Sequence, residues 1–448
     1  MVKKINTILF LMSIISMPIL YFVLPKQTIS VDEKRKLATI PQLNFDNYVK
    51  GDWADSVDNF VDDHFPFRKQ CIDISARIQS YKGIHLKHQE KIFIPVKHND
   101  LEQHQANEDS RAEMSYKNDF DESYNGALII IDGCVYPMGG GSPAVSKSFS
   151  KMVNEYAREL KGETRVFSAV APLSSAFMPV EKYKKYHSLN QRTLKAIGDN
   201  LADGAIFCDV FDELDRHKDQ KLFFNTDHHW KPIGAYYAYV AFCKAAGKAP
   251  VPLDEMTKKV KYNFLGTLYQ KTLDPTVRAN ADTMEYYVPK VATTAVYFPA
   301  SGFNNPRKTK VFYQSSSGGN TYSTFLGGDV PLMKINTTIK NGKKAIVVKN
   351  SMGNAFTPFL TSHYEEIWVV DLRYSKHNIL NIIRENKIDD MIFAVGMYAA
   401  MSSTTINMMR NLAKQDGSVM VPKRPASVPA DTITSPVIKP EIDTTINN

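Results

Sequence analysis

The sequence predicts an α/β fold: a doubly wound parallel sheet with helices on both faces, preceded by an N-terminal transmembrane helix. Three observations predict it. Short apolar runs alternate with helix-like stretches from Ala127 to Lys414, the order expected of repeated strand–helix units. The runs Arg165–Ala171, Lys344–Lys349, Glu366–Asp371 and Met391–Gly396 are almost uninterrupted by charge in their interiors, as strands covered on both faces must be. Residues 5–24 carry no charge at all, and about 20 apolar residues are enough to cross a bilayer.

That first span follows Lys3 and Lys4. Flanking lysines hold the N-terminus inside and send the remainder outward. No small-residue cleavage pattern follows the apolar core, since Pro25-Lys26-Gln27 comes next, so residues 1–26 read as an uncleaved signal anchor. Residues 27–125 form an N-terminal helical segment and an acidic loop. Within it Trp53, Val57, Phe60 and Val61 recur at helical spacing, and a second helix is predicted over 69–81. His64 stands beside Asp62 and Asp63 in a loop that turns at Pro66. The acidic stretch 95–125 reads as a mobile loop.

The α/β domain spans 126–416. Ala127–Asp132 reads as a buried strand, Cys134–Met138 as an edge, and Ser148–Leu160 as a helix. The strand Arg165–Ala171, a helix over 189–201 and the strand Ala205–Val210 follow. Pro232 sits well in a first helical turn, and Ile233–Phe242 continues that helix. Residues 250–340 hold short strand-like pieces, Thr294–Phe298 and Lys310–Tyr313, among turns rich in Gly, Ser and Asn, and read as an insertion with little regular structure that borders a groove. The pattern resumes with the strand Lys344–Lys349, a helix over 353–363, the strand Glu366–Asp371, a helix over 375–386, the strand Met391–Gly396 and a helix over 404–414. Residues 417–448, punctuated by prolines, form a disordered tail.

The 448 residues are 43% hydrophobic, enough for a sizeable core. The formal net charge of +8 is scattered along the chain, without the basic–aromatic interleaving of a nucleic-acid module. None of Cys71, Cys134, Cys208 and Cys243 forms a C-x-x-C pair, which argues against structural zinc. Cys208 and Cys243 lie in apolar segments and read as buried thiols. Gly139-Gly140-Gly141 lacks the G-K-[ST] of a phosphate loop. No cofactor is expected.

Chemistry concentrates at Asn225-Thr226-Asp227-His228-His229-Trp230-Lys231-Pro232. In an extended turn, residues i and i+2 point the same way, so Asp227 can orient His229 as a general base, while His228 points elsewhere. Trp230 is expected to pack beneath. A nucleophile is available at Ser351, on the turn after the strand Lys344–Lys349. Catalytic groups of open parallel sheets gather beyond such strand ends. Ser351 could equally be a plain helix N-cap; as a nucleophile it would use helix-start N–H groups for the oxyanion, with Gly353 leaving room for an acyl group. Asn350, His228, Asp371 and Arg373 are candidates for substrate contact at the same edge. Gly327-Gly328-Asp329 could lend an oxyanion donor or be a plain turn. Two other readings stand beside this one: a non-catalytic glycan- or partner-binding protein, and a metal hydrolase using Asp227, His228 and His229. Adjacent histidines seldom reach one metal together, and no H-E-x-x-H spacing adds ligands, so no metal is expected.

Thr226-Asp227-His228-His229-Trp230 resembles the signature of the DHHW protein family. That family is related to the SGNH-hydrolase-like O-acetyltransferases of alginate and other exopolysaccharides. The resemblance extends to Glu33–Leu37 with Pro41, Asp63–Arg68, Phe325–Asp329, Lys349–Phe356 and Val370–Tyr374. It implies an SGNH-like fold and a Ser351–His229–Asp227 triad carrying out O-acetyl transfer or ester hydrolysis through an acyl-enzyme. It further implies a polysaccharide substrate, a multipass acyl-exporting membrane partner, and a location at the cell membrane with the C-terminal domain periplasmic or extracellular. The chain departs from the G-T-S of the acetyltransferases, reading Lys349-Asn350-Ser351. It also has a Pro-rich tail where they tend to carry a carbohydrate-binding module.

Overall fold

The structure, a computed structural model, describes residues 2–30, 35–81, 90–93, 127–139, 141–300 and 302–416. The acidic stretch and the proline-rich tail lie outside the described residues.

The chain begins with a helix, Val2–Val23, whose stretch Ile5–Val23 has the length and apolar composition of a membrane span. Strands β1 (Ile29–Ser30) and β2 (Arg35–Lys36) pair antiparallel. Helices Phe45–Lys50, Asp52–Asp63 and Arg68–Tyr81 follow. Strands β3 (Glu90–Phe93), β4 (Leu128–Ile131) and β5 (Cys134–Pro137) make a separate three-stranded antiparallel sheet. The apolar run at 127–132 is therefore a buried strand, but it stands outside the main sheet.

The main sheet draws on β6 (Arg165–Ala171) and β7 (Ile206–Phe207). A hairpin of β8 (Thr257–Phe264) and β9 (Asp282–Val288) interrupts it in sequence. It resumes with β10 (Thr293–Phe298), β11 (Arg307–Thr309), β12 (Leu332–Thr337), β13 (Lys344–Lys349), β14 (Glu366–Asp371) and β15 (Asp390–Gly396). Its eight strands run β11-β10-β12-β14-β13-β15-β6-β7. From β14 to β7 every pairing is parallel. From β14 outward through β12, β10 and β11 every pairing is antiparallel.

The sheet is thus mixed, with a large parallel portion, rather than wholly parallel. The region 250–340 is not an irregular appendage. It supplies three strands of this sheet and the hairpin. Of its two strand-like pieces, Thr294–Phe298 is β10, whereas Lys310–Tyr313 holds only an isolated bridge at Phe312, β11 lying just before it at Arg307–Thr309. β12 and the hairpin escape a search for apolar runs because they are half-covered: Lys334 interrupts Leu332-Met333 and Ile335, and the hairpin strand carries Lys258, Lys259 and Lys261.

β13 shows why the sheet needs cover on both sides. Ala345 and Val347 join one core with Phe242, Phe356 and Tyr239, under the helix Pro232–Ala246. Ile346 and Val348 join the other, with Phe149, Phe393 and Ile383, under the helices Pro143–Glu159 and Ile379–Asn386. Successive side chains of a strand point to opposite faces, so an unbroken apolar run demands two helical layers. Local chemistry shifts several expected boundaries. After β7 the Asp209 carboxylate accepts from Asp212 N at 3.1 Å and starts the helix Val210–Asp215, ending the strand early. After β13 the helix is Met352–Phe356 only, and Thr357–Ser362 tightens into a 3-10 turn containing Pro358.

Candidate active site

Ser351 follows β13 at the carboxyl edge of the parallel strands. Its backbone is already helical (φ −56°, ψ −24°), and its side chain caps nothing. The hydroxyl lies 2.7 Å from His229 Nε2 instead. That separates the two readings of this serine: an N-cap hydroxyl would accept from an N–H of the first turn. The first-turn donors expected to serve an oxyanion are otherwise engaged. Met352 N donates to Asn350 Oδ1, Gly353 N to Asn350 O, and Asn354 N to Ser351 O.

The imidazole arrives on a tight loop. Phe223 and Trp230 bridge antiparallel, and Phe224 N donates to His229 O, so residues 225–229 form the tip. Asp227 and His229 project together. His229 Nδ1 meets Asp227 Oδ1 at 2.5 Å, and the His229 backbone N–H donates to the same oxygen at 2.9 Å. The other carboxylate oxygen accepts from Thr267 N at 2.8 Å and from the Thr267 hydroxyl at 3.2 Å. Burial by itself would raise the Asp227 carboxyl. The adjoining His229 and His228 rings and the Thr267 N–H outweigh it and hold Asp227 well below the ordinary carboxylate range. Asp227, His229 and Ser351 are 1%, 5% and 5% exposed, a dry setting in which such contacts are strengthened.

A second carboxylate clamps the loop. Asp282 accepts from Asn225 N, Thr226 N and the Thr226 hydroxyl at 2.9–3.0 Å. Thr226 Oγ1 accepts in turn from Gly266 N. A Cβ on Gly266 would stand 2.2 Å from Asp227 Cβ and Oδ2, so only glycine lets the backbone bring Thr267 to the carboxylate. Trp230 packs beneath the site at 2% exposure, and its indole N–H donates to Met352 O at 3.1 Å. Tyr322 stacks on His229 with ring centroids 3.8 Å apart, and its hydroxyl donates to Ser351 O at 3.1 Å. Burial and the nearby Asp227 keep that phenol far from ionising. Trp230 and Tyr322 thereby tie the imidazole loop to the serine turn. Sequence reasoning missed Thr267, Gly266, Asp282 and Tyr322, all of which sit in the stretch taken for irregular.

Of the candidate substrate contacts, the structure brings two to the cleft beside Ser351: His228 and Asn350 line it. His228 takes the groove rather than the helix packing. Its ring lies against His229 and its Nδ1 meets the Thr267 hydroxyl at 2.7 Å. Asp371 and Arg373 lie elsewhere. Asp371 is fully buried, bonded to Lys349 Nζ at 2.7 Å and to Arg373 Nη2 at 2.6 Å. Asp329 completes the cluster at 3.1 Å from Lys349 and 3.2 Å from Arg373. Two cations and two carboxylates thus form a quartet beneath the serine turn that takes in Asp329, and Gly328 N is engaged by Phe325 O at 3.1 Å, as in a plain turn. Burial disfavours charge on Lys349, yet Asp371 and Asp329 keep it charged above its usual range. Gly353 leaves no acyl space: its Cβ would lie 2.5 Å from Lys349 Cβ and 2.9 Å from Ala394 O. It is glycine because the helix start rests on β13 and β15. His64 lies outside the site, between the carbonyls of Phe60 and Gln27.

Asp227, His228 and His229 can place one donor atom each within 4.8 Å of one another. Yet Asp227 and both His229 nitrogens are committed to the contacts above, and further ligands would be needed for a tetrahedral ion. The set fits a proton-transfer array better than a metal centre.

Fold and site together define the class: an α/β protein with a hydroxyl, an imidazole and a carboxylate aligned at the carboxyl edge of its sheet. The chain belongs to the DHHW protein family, whose profile matches residues 96–370. Among solved structures it is similar to a DHHW family protein from Eubacterium siraeum DSM 15702, with 30% identity, TM-score 0.58, and coverage of 64% of this chain and 94% of that one. It is also similar to Bacillus cereus PatB1 carrying a sulfonyl adduct, with 17% identity, TM-score 0.51, and coverage of 62% and 96%. A more distant likeness is to the O-acetyltransferase domain of Pseudomonas putida AlgJ, at 12% identity and TM-score 0.33, covering 62% and 96%. A comparison with curated proteins finds no match.

Proposed function

We propose that this protein is a membrane-anchored serine O-acetyltransferase or acetylesterase acting outside the cytoplasm on a cell-surface or secreted polysaccharide. The observation that carries the reading is the continuous array Asp227 Oδ1–His229 Nδ1 at 2.5 Å and His229 Nε2–Ser351 Oγ at 2.7 Å. With Asp227 accepting Nδ1–H, Nε2 is the basic nitrogen and faces the hydroxyl. Ser351 Oγ attacks an acetyl carbonyl as its proton passes to His229 Nε2. The C–O bond to the leaving oxygen then breaks, and that oxygen takes the proton. A sugar hydroxyl or water repeats the cycle on the acyl-enzyme. The window Ile5–Val23 would hold the domain at the membrane, within reach of an acyl-exporting partner.

The test is labelling. A sulfonyl fluoride or fluorophosphonate should add to Ser351 in the wild-type chain, as read by intact mass and peptide mapping. The label should vanish in Ser351→Ala and in His229→Ala. An unlabelled wild type that also fails to hydrolyse p-nitrophenyl acetate would overturn the reading.

A further inference from the structure

Beside Ser351 the chain leaves a cleft that the acid–base array does not use. Leu173, Met352, Met397 and Ala399 give it an apolar wall, and Ser174 and Asn350 supply polar atoms. Asn350 and Met352, the neighbours of Ser351 on either side, line it, as does His228, whose ring lies against the His229 that meets the Ser351 hydroxyl, so the cleft adjoins the serine turn.

Ser174 is the unexplained member. It is 2% exposed, and its Oγ is buried with no hydrogen-bond partner in the described structure. Buried hydroxyls ordinarily have one. The turn bearing it is firmly held. Leu173 N donates to Oδ1 of the fully buried Asn190 at 3.0 Å, and the Ser175 hydroxyl donates to Gly139 O. Asn350 is oriented too. Its Oδ1 accepts from Met352 N at 3.3 Å and Gly396 N at 3.2 Å, so both backbone donors fix which end of the amide is the oxygen.

Size decides which ligand suits it. The centres of water-sized spheres can occupy about 40 Å³ of the cleft. One water needs roughly 10–15 Å³ on that measure, so the cleft has room for about three waters, the scale of a small acyl group. An acetyl group has a methyl, a carbonyl carbon and an oxygen. We infer that this cleft is the acyl pocket, sized for acetyl, and that the Ser174 hydroxyl is a specificity-determining donor to the acyl oxygen. The inference rests on the proposed serine chemistry. It assigns Ser174 to substrate binding and the four apolar side chains to the methyl. No new step is needed: the Ser351 Oγ–acyl bond forms and the donor C–O bond breaks as already written.

The experiment uses the full chain in detergent, with p-nitrophenyl acetate and p-nitrophenyl butyrate as probes and a fluorophosphonate as a label. Wild type should favour acetate about tenfold or more in kcat/KM, the scale on which pockets sort methylenes. Ser174→Ala should raise KM for acetate severalfold with fluorophosphonate labelling of Ser351 retained. Ala399→Leu, which fills the pocket, should cut acetate turnover at least tenfold while the melting temperature stays within a few degrees. A labelled wild type whose acetate kinetics and acetate-to-butyrate ratio survive both substitutions would overturn the pocket assignment and leave the serine reading standing. A wild type that takes no label on Ser351 and does not hydrolyse p-nitrophenyl acetate would instead remove both.

Discussion

Asp227 has four donors and no freedom. Its Oδ1 faces two N–H groups of His229, and its Oδ2 faces the N–H and hydroxyl of Thr267. Asp227→Asn cannot satisfy that set. With its oxygen toward His229, the amide nitrogen opposes Thr267 N–H. With its nitrogen toward His229, Nδ1 must become the acceptor, and the proton then sits on Nε2, pointing at Ser351. The second arrangement removes the base, and the first keeps the tautomer only by opposing two donors at Thr267 and losing the carboxylate's charge, so kcat for acetyl-ester hydrolysis should fall roughly 10⁴-fold with little change in the circular dichroism spectrum. Thr267→Val removes one hydroxyl and keeps the backbone donor, so the same assay should show a loss of about tenfold or less. A Val variant as damaged as Asn would mean that Thr267 does more than support the carboxylate.

At the scale of elements, the site is a serine turn from the sheet and an imidazole loop, with a hairpin bracing the loop. The first two were legible. The i, i+2 spacing of Asp227 and His229 and the strand end before Ser351 both express backbone geometry within a few residues. The bracing was not legible, because Asp282, Gly266 and Tyr322 act through contacts between distant segments and leave no periodic trace. The same limit explains Asp371 and Arg373. Next to a strand end they look like surface groups, and only the burial of Lys349 from β13 reveals why they are there. A fully buried lysine needs partners, and removing it leaves Asp371 and Asp329 with too little positive charge. Lys349→Met should therefore destabilise the chain by about 3–5 kcal/mol in urea unfolding. Gly266→Ala should also unfold earlier, since its methyl must displace Asp227. In any fraction that stays folded, esterase activity should fall more than melting temperature alone accounts for.

Across the whole molecule, a half-buried histidine couples stability to pH away from the site. His363 ends the 3-10 turn after the serine helix, and its Nε2 accepts from the Tyr239 hydroxyl at 2.6 Å. This contact joins that turn to the helix Pro232–Ala246, which follows the imidazole loop. Burial, with Lys248 nearby, lowers the ring from 6.5 to about 4, so the folded chain keeps it neutral where the unfolded chain protonates it. Above pH 6.5 neither state is charged, and the contribution is complete. As pH falls from 6.5 towards 4, the unfolded state binds a proton that the folded state refuses, and stability declines. The part-exposed ring discounts the shift to a contribution on the order of 1–2 kcal/mol. Asp227 acts lower on the scale. Its depressed carboxyl gives stability that is present above its unfolded value of 3.8 and is lost only as pH drops below that. The two windows can be separated. His363→Gln keeps an acceptor for Tyr239 but cannot be protonated, so its melting temperature should vary less between pH 6.5 and 4 than that of the wild type, while the steeper loss below pH 3.8 persists. Equal slopes for the two proteins across the upper window would show that His363 is not the group that couples them.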